Sequence, residues 1–261
     1  MSSTVPSFTR RYILAKRPSR ARKAIANMLA LLFGLFKLGK VGGTLVTMIV
    51  SLAAYSLIFG WRYAAGFVGL LLLHEMGHFI AARQRSLPVS MPTFIPFVGA
   101  WIELKGQPMD AETEAYVAAA GPLLGTVGAI LVYFWGRETQ DGLLLAIAYG
   151  GFFLNFFNLI PLSPLDGGRI TAIISPRIWF LGVPLMVGLM LYRPSPLLFI
   201  IAIAAIPALK QAWTHDPETE ENRCYYATSV ATRVEYGLIY LSLVAFLAYM
   251  TSATHAMIGR V

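Results

Sequence analysis

The chain is far more apolar than a soluble domain: of its 261 residues, 57% are hydrophobic and only 13% are charged, against about 25% charged residues in an average soluble domain. Several apolar runs reach the length that spans a bilayer, which excludes a disordered chain, a disulfide-rich domain and an ordinary globular domain. Cys224 is the single cysteine, so an intramolecular disulfide and a cysteine-based zinc site are also excluded. The composition predicts a polytopic membrane protein.

The net charge of +8 is concentrated at the N-terminus, where residues 1–40 hold nine Lys or Arg residues and no acid. We interpret this segment as a cytoplasmic anchor that is attracted to anionic lipid headgroups. An organellar transit peptide over Met1–Lys23 is the alternative, because that stretch is rich in Arg and Ser and free of acids. Nucleic acid is not an expected partner, since no folded soluble module accompanies the charge.

Hydropathy predicts the membrane segments in chain order. Ala24–Leu38 is apolar but short and is expected to lie at the membrane interface. Full-length spans follow at Val41–Gly60, Trp61–Arg83, Ala115–Trp135 and Gly142–Ile160. The later candidates are shorter and are predicted to be marginal, tilted or half-inserted; they are Trp179–Tyr192, Leu197–Leu209 and Gly237–Met250.

The distribution of Lys and Arg predicts the orientation. With the N-terminus inside, Arg83 and Arg85 lie in the cytoplasm, Arg137 lies on the opposite side, and the chain returns to the cytoplasm at Arg169. The predicted organisation is a basic N-terminal segment at residues 1–40, a membrane-embedded domain at 41–209, a polar acidic loop at 210–233 and a C-terminal span with its tail at 234–261. The polar loop is too short to form a domain of its own.

A metal-binding pattern interrupts the second span, where the sequence reads His74-Glu75-Met76-Gly77-His78. Histidines at positions i and i+4 lie on one face of a helix and can share a metal ion. The intervening Glu75 is near enough to take a proton from a metal-bound water. An uncompensated acid at the bilayer centre costs roughly 2.5–3.5 kcal/mol, so it is a functional candidate by default. The alternative is a set of polar residues that hold neighbouring helices together.

Two histidines leave a catalytic zinc site incomplete, because such a site has three protein ligands and a water. His215 and His255 lie in a polar loop and near the C-terminus, and we interpret them as surface residues. Asp166 is the acid in an apolar setting, and it follows Pro161 and Pro164, which cannot continue a helix. Non-helical backbone at membrane depth is tolerated where it is buried or lines a water-filled cavity, so a carboxylate there can reach a metal. A helix-ending turn capped by Asp166 is the alternative.

These residues resemble the site-2 protease family of intramembrane zinc metalloproteases. The resemblance rests on the motif at 74–78, on the string from Asn158 to Gly167, and on Ala120-Gly121-Pro122 between them, and it covers roughly Gly66–Ile170. It implies an all-α polytopic membrane protein with about six transmembrane helices around a three-helix catalytic core. It also implies a minimal form of the family, without a PDZ or CBS domain.

The resemblance assigns roles to individual residues. It implies that His74, His78 and Asp166 bind one Zn²⁺ (zinc) ion per chain. It gives Glu75 the role of general base, and it implies that Asn158 faces the site and helps to hold the substrate or the developing oxyanion. A helix-capping or interhelical hydrogen bond is the alternative for Asn158.

Met91–Leu104 is apolar but broken by prolines and a glycine, and it resembles the re-entrant β-like segment of the family. An edge strand there would hold an unwound substrate by main-chain pairing, with Phe97, Gly99 and Trp101 as candidate substrate-binding residues. A simple interfacial loop is the alternative. Gly121 and Gly125 give a small-xxx-small spacing that predicts close helix packing; Gly125 stands where many family members carry Asn.

The sequence therefore predicts an intramembrane zinc endopeptidase that cleaves in or near transmembrane segments of membrane proteins, as in regulated intramembrane proteolysis. The expected partners are a transmembrane substrate and the lipid bilayer. The expected location is a bacterial inner or plasma membrane with the active site toward the cytoplasm, an organellar membrane being the alternative. Two rival functions are a non-catalytic membrane scaffold and a metal or ion transporter that uses the same His and Asp residues.

Overall fold

The computed structural model describes residues 39–97, 99–101 and 110–259. The predicted interfacial segment Ala24–Leu38 and almost all of the basic N-terminal segment lie outside these residues. Of Trp101, the structure describes the backbone alone.

The described residues form nine α-helices, one 3₁₀ helix and a two-stranded antiparallel sheet. The sheet lies between α2 and α3 in the chain, and the 3₁₀ helix, Pro176–Leu181, lies between α5 and α6. The bounds are α1 Gly39–Phe59, α2 Trp61–Gln84, β1 Thr93–Ile95, β2 Gly99–Trp101, α3 Ala111–Thr139, α4 Gly142–Asn158, α5 Asp166–Ala172, α6 Gly182–Tyr192, α7 Pro196–Thr214, α8 Glu220–Tyr225 and α9 Val230–Ile258.

Among the described residues, five helices are long and apolar enough to cross a membrane, namely α1, α2, α3, α7 and α9. The apolar α4 has 17 residues, which gives it a length of about 25 Å. The prediction of an all-α polytopic membrane protein is therefore confirmed.

The predicted lengths of the two C-terminal spans are wrong. Hydropathy gave 13–14 apolar residues for each, whereas α7 has 19 residues and α9 has 29. Both helices continue into polar residues, and each begins at a serine whose side chain accepts a hydrogen bond from the main chain: Ser195 from Leu198 and Ser229 from Thr232. Hydropathy detects only the apolar part of a helix, so it does not predict the polar turns at the ends of α7 and α9.

Helices α2, α3 and α4 pack at the centre of the bundle, and glycines allow their backbones to approach closely. A methyl group on Gly77 of α2 would overlap the main-chain carbonyl of Ala120 on α3. On α3, a methyl group on Gly121 would overlap the ring of His78, and one on Gly125 would overlap the side-chain amide of Asn155. The predicted close packing at Gly121 and Gly125 is therefore observed.

The segment predicted to be β-like contains the hairpin. Its register pairs Thr93 with Trp101 and Ile95 with Gly99. Helix α1 holds the first strand, since the amide N–H of Phe94 donates to Thr47 Oγ1 at 3.1 Å. At the turn, the amide N–H of Phe97 donates to the hydroxyl of Tyr55 on α1 at 3.2 Å.

The contact between α2 and α3 predicts the effect of adding a methyl group. Gly77→Ala should lower the unfolding free energy by about 1–3 kcal/mol, because the new methyl group has no space beside the Ala120 carbonyl. Gly69→Ala is the matched control on the same helix, since the described part of the chain places nothing within 4 Å of that methyl group.

Thermal unfolding in detergent micelles checks this prediction. We expect a lower melting temperature for Gly77→Ala and an unchanged or slightly higher one for Gly69→Ala, because alanine favours a helix over glycine. Equal melting temperatures for the two variants would contradict the packing described here.

Candidate metal centre

The two histidines of the motif lie one turn apart on the buried face of α2. His74 is 2% exposed and His78 is 9% exposed, and Glu75 between them is 6% exposed. The two rings meet edge to face with their centroids 4.8 Å apart. The helix thus presents two imidazole nitrogens toward the centre of the bundle.

Asp166 reaches these nitrogens from a distant part of the chain. It is the first residue of α5, and it follows a non-helical turn at residues 159–165 that carries the chain away from the end of α4. Its Oδ2 atom lies 3.2 Å from Nε2 of His74 and 3.4 Å from Nε2 of His78. The two Nε2 atoms are 3.1 Å apart, so three potential ligand atoms form a small triangle.

The partners of the Nδ1 atoms determine which imidazole nitrogens carry the protons. His78 Nδ1 lies 2.8 Å from the main-chain oxygen of Val117, and a carbonyl oxygen only accepts. His74 Nδ1 lies 2.8 Å from Oδ1 of Asn155. The amide orientation of Asn155 follows in turn, because its Nδ2 donates to the carbonyl of Gly151 at 2.7 Å. Both rings therefore carry their proton on Nδ1 and present an Nε2 lone pair to the triangle.

A zinc ion fits this triangle. Two imidazole lone pairs and an ionised carboxylate oxygen would repel one another at these distances, and Oδ2 of Asp166 is buried with no hydrogen-bond partner among the described residues. In a tetrahedral site with zinc–ligand distances near 2.0–2.1 Å, neighbouring ligand atoms are about 3.3 Å apart. The observed separations of 3.1–3.4 Å match that value. The predicted zinc cofactor is confirmed to this extent: the described residues hold a His-His-Asp cluster that suits the ion.

An ion-pair network anchors the segment that carries Asp166. Arg169 on α5 donates to Glu114 at the start of α3 over 3.1 Å, and the hydroxyl of Tyr225 on α8 donates to the other carboxylate oxygen of Glu114. Burial, and then the charge of Glu114, raise the pKa of Tyr225, so its hydroxyl stays a donor. The indole N–H of Trp179 donates to the Gly168 carbonyl at 2.7 Å. These contacts tie α5 directly to α3 and to the 3₁₀ helix, and through Glu114 to α8.

The remaining predicted site residues lie elsewhere. Asn158 is half-buried, and its Nδ2 donates to the carbonyl of Leu154 at 3.1 Å on its own helix; its role toward substrate stays a prediction. Phe97 lies at the hairpin turn and is 45% exposed. Gly99 and Trp101 belong to β2, and substrate binding by these three residues also stays a prediction.

The other two histidines do not belong to the cluster. The ring of His215 packs against Tyr226 with centroids 5.1 Å apart. The ring of His255 packs against Tyr149 at 5.3 Å. His215 follows the end of α7, and His255 lies near the end of α9.

Sequence reasoning missed Asn155, which is fully buried and contacts His74 directly. A signal was present, because Asn155 is an amide within the apolar run Gly142–Ile160. A polar side chain at membrane depth usually has a partner inside the protein. The sequence predicts Asn158 as a site residue instead, because Asn158 belongs to the string from Asn158 to Gly167 that resembles the family.

Comparisons with known proteins agree with this geometry. Residues 62–141 match the sequence profile of peptidase family M50. The chain is 30% identical over 141 residues to Rip3 of Mycobacterium tuberculosis, which is named as a zinc metalloprotease, and the alignment covers 49% of this chain and 35% of Rip3. It is 32% identical over 117 residues to the zinc metalloprotease MJ0392 of Methanocaldococcus jannaschii, covering 42% of this chain and 34% of that protein.

A plant protein matches over a shorter stretch. The chain is 35% identical over 78 residues to EGY1 of Arabidopsis thaliana, a protein named as a chloroplast zinc metalloprotease; the alignment covers 28% of this chain and 14% of EGY1. These alignments span about a third or less of the relatives' own length.

The profile match contains His74, Glu75 and His78, whereas Asp166 lies beyond its end. The structure supplies that third residue independently, at 3.2 Å and 3.4 Å from the two histidines. The predicted resemblance is thus confirmed: over residues 62–141 this chain matches peptidase family M50, the site-2 protease family, and it is similar to zinc metalloproteases of that kind.

Proposed function

We propose that this protein is an intramembrane zinc endopeptidase that hydrolyses peptide bonds in or near the transmembrane segments of its substrates. The observation that carries the proposal is the triangle of Nε2 of His74, Nε2 of His78 and Oδ2 of Asp166, which is buried and begins on a helix long enough to span a bilayer. Burying an acid and two histidines at that position lowers the stability of the fold through their desolvation. A role in metal-dependent chemistry explains why these residues stand there.

Each residue has a separate task in this mechanism. His74 and His78 are neutral ligands, and Asp166 supplies the one negative charge that offsets the ion. Zinc bound by these residues would lower the pKa of a coordinated water to about 7 and polarise the scissile carbonyl. Glu75 is the general base: it accepts the proton of the attacking water and passes it to the leaving amine.

The substrate must be unwound where it is cut, because a helical amide is hydrogen-bonded and shielded by its side chains. The hairpin offers a way to hold an extended segment by main-chain pairing. Helix α1 occupies the outer edge of β1 through the contact of Phe94 with Thr47. Substrate pairing is therefore proposed at the edge of β2, which contains Gly99 and Trp101.

The proposed site faces the cytoplasm. His78 lies seven residues before Arg85, so the cluster is about 10 Å from that end of α2. Arg85 is 3.5 Å from Glu112 at the start of α3, and Arg169 on α5 belongs to the same end through Glu114. Cytoplasmic loops of membrane proteins carry an excess of Lys and Arg, which supports this orientation.

The general base is tested by Glu75→Gln, which keeps the size and polarity of the side chain but cannot accept a proton at neutral pH. Cleavage of a single-span model substrate in proteoliposomes should fall by roughly 10² or more, while zinc content stays at that of the wild type. Glu138→Gln, on an exposed residue of α3, is the matched control and should cleave normally. Wild-type turnover by Glu75→Gln would remove Glu75 from the mechanism.

The third ligand is tested by Asp166→Asn, which is nearly isosteric but removes the negative charge. We expect the purified variant to lose most of its zinc and all measurable cleavage, as determined by metal analysis and the same proteoliposome assay. His215→Ala is the control, because that residue packs against Tyr226 outside the cluster. One tightly held zinc in Asp166→Asn, with loss of zinc from His215→Ala, would overturn the ligand set.

Orientation is tested with reporter fusions. A reporter after Arg85 should report a cytoplasmic location, and one after Arg137 should report the opposite side, because α3 carries the chain across the membrane between them. Reversed signals from both fusions would place the site at the outer face.

A further inference from the structure

We infer that Asn155 of α4 is the positioning residue for the metal ligand His74. Gly125 of α3, which has no side chain, leaves the space that the Asn155 amide occupies. This inference rests on the zinc site proposed above. It assigns a task to a residue that touches neither the scissile bond nor the triangle directly, and that lies outside the two motifs found in the sequence.

The first step is the short hydrogen-bond chain behind His74. Gly151 accepts from Nδ2 of Asn155 at 2.7 Å, and Oδ1 of Asn155 accepts from Nδ1 of His74 at 2.8 Å. The amide is fully buried, and Nδ1 of His74 has no other hydrogen-bond partner among the described residues. Removing the acceptor would leave the ring free to rotate or to move its proton to Nε2, and a protonated Nε2 cannot bind a metal.

The second step compares the two histidine ligands. The ring of His78 is held by a main-chain carbonyl of α3, that of Val117, which no side-chain substitution can remove. The ring of His74 depends on a side chain from a different helix. The hydrogen bond behind His74 can therefore be removed by a side-chain substitution, whereas the one behind His78 cannot.

The third step is the space for the amide. A methyl group on Gly125 would lie 2.9 Å from Nδ2 and 3.0 Å from Cγ of Asn155, and it would overlap Oδ1. The amide therefore packs flat against the α-carbon of Gly125. Because Gly125 has no side chain, Oδ1 of Asn155 can lie 2.8 Å from Nδ1 of His74 at this close approach of α3 and α4.

Two substitutions at Asn155 separate a positioning role from a merely structural one. Asn155→Leu has a similar size and suits a buried apolar position, but it offers no acceptor. Asn155→Asp loses the donor to Gly151, whose carbonyl already receives the main-chain hydrogen bond of the helix. It introduces an acid but keeps an acceptor for His74, and a carboxylate is a common partner of a metal-ligating histidine. We expect zinc affinity to fall 10- to 100-fold in Asn155→Leu, as is typical when such a partner of a ligand is lost, and to stay within about threefold of wild type in Asn155→Asp.

The measurement is zinc affinity by competition with a chelator, in the full chain in detergent. All variants carry Glu75→Gln so that self-cleavage and turnover play no part. Thr126→Val is the matched control: its buried hydroxyl donates to the Pro122 carbonyl at 2.6 Å, one residue from Gly125, and contacts no ligand. The zinc affinity of Thr126→Val should equal that of the parent chain, which carries Glu75→Gln alone.

Gly125→Ala supplies a second variant that leaves Asn155 in place and displaces its amide. It should lower zinc affinity about as much as Asn155→Leu does. A double-mutant cycle combines Gly125→Ala with Asn155→Ala. The loss of zinc affinity in the double variant should be far smaller than the sum of the two single losses, because both changes break the same hydrogen bond.

Equal zinc affinity in the parent chain and Asn155→Leu would overturn the inference, as would an equal loss in Asn155→Leu and Asn155→Asp. A chain that binds zinc in this pattern but cleaves no substrate would contradict the proposed function while supporting the role of Asn155. A parent chain that binds no zinc would overturn both.

Discussion

One electrostatic constraint governs the rest of the structure. Three acceptor atoms that repel one another are held 3.1–3.4 Å apart in a buried place. Hydrogen bonds to Val117 and Asn155 hold a proton on Nδ1 of each ring, so each ring in its neutral form presents an Nε2 lone pair to the other two atoms. A cation removes the repulsion, and zinc has the preferred ligands and dimensions. The neighbouring helices are arranged to keep these atoms together.

That arrangement relies on small residues and on a distant ion-pair network. Gly77 and Gly121 bring α3 against the face of α2 that carries the histidines, which places the Val117 carbonyl within reach of His78. The charges of Arg169 and Glu114 then fix α5, whose first residue is Asp166. Close helix packing provides the hydrogen-bond partner of each histidine, and the ion pair between Arg169 and Glu114 holds the helix that carries the third ligand.

The sequence predicted the parts of this site that have a local pattern. His74 and His78 follow from their spacing on one apolar helix, and Asp166 follows from an acid placed among prolines and glycines in an apolar run. Asn155 interrupts an apolar run, but no local pattern indicates His74, 81 residues away, as its partner. The contact between Glu114 and Tyr225 joins residues 111 apart and has no local pattern either. Helix ends were also lost where polar residues continue a span, as in α7 and α9.

The position of the cluster along α2 affects both the stability of the surrounding backbone and the access of water that the proposed hydrolysis needs. Hydrolysis needs water, and a site at the bilayer centre would have little of it, whereas a fully exposed site would not reach a transmembrane substrate. His78 lies about 10 Å from the basic end of α2, and the turn at residues 159–165 brings non-helical backbone to the same level. Irregular backbone is stable there only where it is buried or meets water. The turn that carries Asp166 to the histidines meets the first condition along part of its length, because Leu159, Leu162 and Leu165 are buried.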